Sequence, residues 1–240
     1  MFKVIAELQD FIVVDKAAGV NFHDEGELGA GLHAKVKAHI NNQGKTDELY
    51  PVHRLDKMTS GLIIFAKTLR CAQIFGQLFN EHNIEKYYLA ISDRKPTKKQ
   101  GLIKGDMIKS RRGMFKLLRS MENPAITQFF SYSIANKQRL FVLKPHSGKT
   151  HQLRVALSSI SAPIIGDPLY YSTQNLSDNE KSHSEISRGY LHAYALKFNY
   201  LDESYEFISP PNEGKFYLTQ SITDKLAEIK KPWQLNWPRL

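Results

Sequence analysis

The sequence predicts an α+β fold: a large mixed, mostly antiparallel sheet with flanking helices. Three observations point there. Short apolar runs of strand length outnumber stretches with helical spacing, two pairs of those runs are joined by short polar turns as in hairpins, and no internal repeat or low-complexity linker divides the chain. With 240 residues, 42% of them hydrophobic, the chain can bury a substantial core, and it is read as a single domain over 1–240.

Taken in order, Phe11 to Asp15 and Gly61 to Lys67 are apolar runs long enough for a buried strand and too short for a core helix. After Thr68, a candidate N-cap, the residues Ile74, Phe75, Leu78 and Phe79 recur at helical spacing up to His82. Tyr87 to Ser92 returns to strand. Thr127 to Ile134 pairs with Arg139 to Lys144 across the polar turn 135–138, and Thr150 is a candidate cap for a helix running to Ser159. Gly189 to Tyr200 and Tyr205 to Ser209 flank 201–204 as a last hairpin, and Thr219 to Lys230 has helical character. Between them, 172–188 is rich in Ser, Asn, Asp, Glu and Lys, with only Leu176 and Ile186 apolar, and is expected to be a long mobile loop. Prolines bound a C-terminal tail, 231–240, whose Trp233 and Trp237 are expected to pack onto the body.

A formal charge of +9 and a pI near 9.4 favour a polyanionic partner, most commonly nucleic acid; an anionic membrane surface would satisfy the same balance. No 18-residue apolar span and no signal-like start occur, so an unexported, cytoplasmic protein without membrane association is expected. The lone Cys71 excludes an internal disulfide and a multi-cysteine zinc site, consistent with a reducing compartment. Gly148, Lys149 and Thr150 resemble the end of a phosphate loop, but the earlier glycine would fall at Leu143, inside an apolar strand. His146 and His151, five apart around a glycine, lack metal-ligand spacing, and His192 in its Leu-His-Ala run is expected to be a hydrogen-bonded structural histidine.

The most informative segment is HRLDKMTSGLIIFAK, His53 to Lys67. It sets one carboxylate, Asp56, in a loop just before the turn-forming Thr59, Ser60 and Gly61 and an apolar strand, which is how a loop presents a reactive group from a rigid base. In isolation, Asp56 and Arg54 would be an ordinary surface acid and its partner. The whole run resembles the catalytic signature of the RluA-type pseudouridine synthases. Five further segments occur in that family's order: LQDFIVVDKAAGV (Leu8 to Val20, with Ala17 in place of the usual proline), EKYYLA (Glu85 to Ala90), SGKTHQLRVAL (Ser147 to Leu157), IIGDPLYY (Ile164 to Tyr171) and GYLHAYAL (Gly189 to Leu196).

The resemblance implies a pseudouridine synthase fold, with the sheet bent around a central catalytic cleft, and an enzyme that isomerises uridine in structured ribosomal or transfer RNA with neither cofactor nor metal. No obligate protein partner is indicated. An N-terminal S4-type module, present in part of the family, is not expected, because the first family strand begins near Leu8. The resemblance assigns Asp56 the role of nucleophile; attack at the sugar C1′, attack at C6 of the base and removal of a 2′ proton to give a glycal all fit these residues. It places Arg154 against Asp56 as counter-charge. Tyr88 falls at the Lys-x-Tyr position, where its ring can stack on uracil and its hydroxyl assist proton transfer. Arg54 matches the arginine expected to fill the space of a flipped-out uridine. His53 organises the loop beside the bound RNA, Leu153 forms an apolar wall under the base, and Lys149 meets RNA phosphate or supports the cleft. Tyr87, on the opposite strand face from Tyr88, is structural. The basic segment 104–119 carries Lys104, Lys109, Arg111, Arg112, Lys116 and Arg119 interleaved with Met114, Phe115 and Leu117, and is similar to an RNA-gripping flap; its bland alternative is a solvated charged face. Competing functions are a catalytically silent RNA-binding protein on the same scaffold and a glycoside hydrolase. The second needs a suitably spaced second acid, and none stands within a matched motif.

Overall fold

A computed structural model of the chain describes residues 1–42, 48–172 and 188–240. In chain order its elements are β1 (Phe2–Glu7), β2 (Phe11–Lys16), α1 (Leu32–Asn41), β3 (Tyr50–Pro51), β4 (Ser60–Ala66), α2 (Leu69–Asn80), β5 (Glu85–Ser92), β6 (Gln100–Gly105), β7 (Met107–Lys109), β8 (Phe115–Leu117), β9 (Ala125–Ser133), β10 (Arg139–Pro145), α3 (Gln152–Ser159), β11 (Leu191–Tyr200), β12 (Glu203–Ile208) and α4 (Gln220–Glu228). Strands dominate and their pairing is mostly antiparallel, as an α+β reading requires. The chain forms two compact units, residues 1–86 with 192–210 and residues 87–191 with 211–240.

In the first unit the strand order is β1-β2-β4-β11, with β12 beside β11 and β3 beside β4. Every residue of β2 and of β4 is buried. Both faces are covered, which is why these strands read as continuous apolar runs rather than alternating ones. Phe11, Val13, Leu62 and Ile64 pack with Cys71 and Phe75 of α2 on one face. On the other, Phe65 stacks on Phe22 at 5.7 Å and lies 5.9 Å from His33 of α1. Each fully buried side chain of this kind contributes about 1.5–3 kcal/mol. The helix α2 starts as predicted, with the Thr68 side chain accepting the Cys71 amide at 3.1 Å.

Strand β1 and helix α1, like the two-residue β3, were not expected from the sequence. Strand β1 pairs with β2, but a register shift between Val4 and Ala6 breaks the two-residue alternation by which a strand is recognised. Helix α1 buries only Leu32, Val36 and Ile40, one residue per turn, and its N-cap Gly31 makes no side-chain hydrogen bond.

The second unit orders its strands β5-β10-β9-β6, all antiparallel, and β7 pairs with β8 as a separate ribbon. The predicted 135–138 turn joins β9 to β10, with Asn136 and Lys137 in left-handed conformations at φ 60 and 58. The expectation for Thr150 fails. Helix α3 begins at Gln152 after a left-handed His151 (φ 58), and it is the Gln152 side chain that accepts the Lys149 amide at 3.0 Å and the Ser147 hydroxyl at 2.8 Å. A left-handed residue at the start turns the chain so that the side chain of the first helical residue, rather than that of Thr150, reaches back to the amide of Lys149 before the helix. Trp237 lies 4.9 Å from Phe130 and 5.8 Å from the fully buried Tyr87, so the tail packs on the sheet. Apart from Ser172 and Arg188, the expected 172–188 loop lies outside the described residues. No helix among the described residues is long and apolar enough to cross a membrane.

Candidate active site

Asp56 opens a tight turn in the first unit, closed by the Thr59 amide donating to the Asp56 carbonyl at 3.0 Å. Its side chain is half-buried, Arg54 is exposed, and the turn runs directly into β4. Three ties fix this loop.

The first is His53. Strand β3 stops at Pro51, which cannot donate to a ladder, and the imidazole takes over: His53 Nε2 accepts the Ile64 amide at 2.9 Å. Burial, with a smaller contribution from the Lys86 charge, pushes the His53 pKa down to about 3, so the ring is a neutral acceptor at physiological pH. The second tie is Lys16, fully buried, whose ammonium donates to the carbonyls of Ala17 at 3.0 Å, Val20 at 3.0 Å and Lys57 at 3.2 Å. The Lys57 carbonyl also accepts the Gly19 amide at 2.8 Å. The residue after Asp56 is thereby sewn to the turn following β2.

The third tie runs through His192. Its Nε2 lies 2.7 Å from the carbonyl of Ser209, which can only accept, so Nε2 carries the proton and Nδ1 accepts the hydroxyl of Ser60 at 2.8 Å. The Ser209 hydroxyl in turn donates to Asp15. His192 is thus the hydrogen-bonded structural histidine expected from its apolar strand. At Gly61, β4 meets β11 in parallel, and a Cβ there would lie 2.3 Å from the Ala193 carbonyl oxygen; with φ +106 as well, only glycine fits.

Tyr88 and Arg154 belong to the second unit. Tyr88 is half-buried on β5 opposite Leu143, while Tyr87 beside it is fully buried under the Lys144 ammonium. Arg154, on α3, is 5% exposed and meets Asp167 in a two-pronged ion pair, Nε to Oδ2 at 2.7 Å and Nη2 to Oδ1 at 2.9 Å. Asp167 Oδ1 also accepts the amides of Leu169 at 2.8 Å and Tyr170 at 3.1 Å. The direction of the guanidinium is therefore set by an acid that sequence reasoning passed over, although it lies within the recognised run IIGDPLYY; an Asp one residue before Pro, where a side chain commonly closes a turn, was the available signal.

Of the remaining candidates, Leu153 is buried at the start of α3, and the Lys149 ammonium donates to the Asn123 carbonyl. Lys109, Arg111 and Arg112 are exposed on the β7–β8 ribbon and its turn, as are Lys104, Lys116 and Arg119 nearby, while Met114, Phe115 and Leu117 are half-buried. The charges therefore face solvent, as does Ile108 of β7, while these three apolar side chains are partly covered.

Comparison with known proteins identifies the family. The family model described as RNA pseudouridylate synthase matches residues 10–159, a stretch that includes the Asp56 loop, Tyr88 and Arg154. A Haemophilus influenzae relative called an uncharacterized RNA pseudouridine synthase is 43% identical over 232 residues, covering 96% of this chain and 97% of its own. The Rickettsia bellii ribosomal large subunit pseudouridine synthase C is 33% identical over 171 residues, 70% of this chain and 56% of that one. The structure of human RNA Pseudouridylate Synthase Domain Containing 1 superposes with a TM-score of 0.71 over 96% of this chain and 95% of its own, at 21% identity, and shows the same fold. The chain belongs to the RluA-type RNA pseudouridine synthase family and is an isomerase that converts uridine to pseudouridine in RNA.

Proposed function

We propose that the substrate is a specific uridine in a structured RNA, flipped out of its stack, with Asp56 as the nucleophile. The observation that carries this is the setting of Asp56 itself: a half-buried carboxylate on a backbone held from both sides by Lys16, His53 and the start of β4. A preorganised acid of this kind can split the isomerisation into easier steps. The N-glycosidic bond breaks, uracil rotates, and C5 bonds to the same ribose, so nothing is released and no redox partner is required. Arg154, its fork aimed by Asp167, supplies the guanidinium for the reaction, Tyr88 supplies an aromatic ring and a hydroxyl at the base, and the exposed Arg54 fills the vacated place in the stack. The ribbon bearing Lys109, Arg111 and Arg112 meets phosphates. A ribosomal RNA is favoured over a transfer RNA by the name of the Rickettsia relative, and action in the cytoplasm follows from such a substrate.

The test is a pseudouridine map of total RNA from cells with and without the gene, followed by complementation with Asp56→Asn and Asp56→Ala. One or more sites should vanish on deletion and return only with wild-type protein, while both variants still bind RNA, since phosphate contacts elsewhere dominate affinity. Near-normal modification by folded Asp56→Ala would eliminate Asp56 as the nucleophile.

A further inference from the structure

The β7–β8 ribbon is too small to hold itself. Its strands have three residues each, and an isolated two-stranded ribbon is marginal even when longer. Its base is secured by Asp106, whose carboxylate accepts the amides of Glu122 at 3.0 Å and Asn123 at 2.8 Å and whose carbonyl accepts the Leu118 amide at 2.7 Å. The far end, where the turn carries Arg111 and Arg112, has a different anchor. The Phe115 amide donates to the hydroxyl of Tyr170 at 2.7 Å, and that hydroxyl lies 3.2 Å from His151 Nδ1, just before α3. The Phe115 ring meets the His151 ring edge-on at 5.6 Å, and β8 lies against α3. The Tyr170 ring also faces the Arg154 guanidinium at 5.2 Å, and its amide donates to the acid that orients Arg154.

We infer that Tyr170 is a positioning residue for RNA binding: its hydroxyl docks the basic ribbon onto the start of α3, fixing the cations of the ribbon relative to the helix that carries Arg154. This rests on reading the ribbon as an RNA contact. Tyr170 is not one of the ribbon's cations, so a positioning role has a consequence that a general packing role does not. Removing its hydroxyl must change the salt dependence of RNA binding, because it unseats Lys109, Arg111 and Arg112 from their phosphates.

The experiment compares wild type, Tyr170→Phe, the triple variant Lys109→Ala/Arg111→Ala/Arg112→Ala and their combination, with unmodified transcript of bacterial large-subunit ribosomal RNA as the probe. Tyr170→Phe keeps the ring and loses only the hydroxyl. Amide exchange at Phe115 should quicken about tenfold, as expected for loss of one hydrogen bond, while protection in β9 and β10 is kept. The salt slope should flatten, the loss of activity should fall mainly on KM, and the combination should cost little more than the triple variant alone. Unchanged exchange at Phe115, an unchanged salt slope, or additive losses would overturn the inference. If the triple variant alone left binding and slope untouched, the ribbon reading would fail instead, whatever Tyr170 did. Should Tyr170→Phe not fold, His151→Asn takes its place, since Asn tolerates the left-handed conformation there but is too short to reach the hydroxyl; it should move exchange and slope in the same direction.

Discussion

Lys16 and Lys57 stand 41 residues apart in the chain, and the buried ammonium of the first donates to the backbone carbonyl of the second at 3.2 Å, one residue beyond Asp56. A charged donor shared among three carbonyls is strong and directional, and here it holds the backbone of the turn that Asp56 opens.

Replacing Lys16 with Met retains volume and deletes that donor. Three carbonyls lose a charged hydrogen bond in a buried place, and stability should fall by about 2–4 kcal/mol. Turnover should fall further than stability explains, with RNA affinity held within about threefold, because phosphate contacts lie elsewhere. Denaturant unfolding alongside single-turnover kinetics checks this; a folded Lys16→Met with wild-type turnover would show that the turn holds without it.

Asp167→Asn leaves the shape in place but removes the charge facing Arg154. Breaking one side of a buried ion pair costs about 3–5 kcal/mol, and the retained amide oxygen should keep this variant near the lower figure. The reaction rate at saturating RNA should drop at least tenfold, as the guanidinium loses one prong of its clamp. Full activity in Asp167→Asn would mean that Arg154 is aimed by something else.

The depressed pKa of His53 predicts a pH dependence of stability. A free imidazole protonates near 6.5, whereas this one resists protonation until about pH 3, so the unfolded chain takes up the proton first as acidity rises. The contribution of the neutral ring is complete above pH 6.5 and is lost as the pH falls toward 3, by at most about 1.4 kcal/mol per pH unit. His53→Gln can still accept the Ile64 amide but does not titrate. Urea titrations between pH 7 and 4 should show the wild type losing stability faster than the variant; parallel curves would refute a neutral, buried His53.

Replacing Lys109, Arg111 and Arg112 together with Ala should weaken RNA binding and reduce the slope of log K against log salt by about 0.7–0.9 for each phosphate that is no longer neutralised. Titrations at several salt concentrations measure this, and an unchanged slope would make the ribbon a solvated charged face.

Much of this was legible in the sequence because local chemistry and tertiary structure agree there. Thr68 caps α2, the hairpins turn where polar residues interrupt apolar runs, and Asp56 sits on a loop ahead of a buried strand, as its neighbours Thr59 to Phe65 imply. What escaped was whatever depended on a distant partner or a broken period. A bulge hid β1, the entry into α3 uses Gln152 rather than Thr150, and nothing near Arg154 in sequence reveals that Asp167, 13 residues on, takes hold of it. Likewise, the expectation of a structural role for His192 was met, but its partners Ser60 and Ser209 come from separate segments of the chain.

The parallel seam between β4 and β11 also bears on the timing of synthesis. Ser60 and His192 are 132 residues apart, so at roughly 5–20 residues per second a ribosome needs about 7 to 26 s to deliver the second after the first. Throughout that interval the Ser60–Gly61 end of β4 has no partner from β11, and the loop bearing Asp56 lacks one of its three fastenings. A nascent chain thus acquires this fastening of the Asp56 loop only once His192 has been made, long after the loop itself.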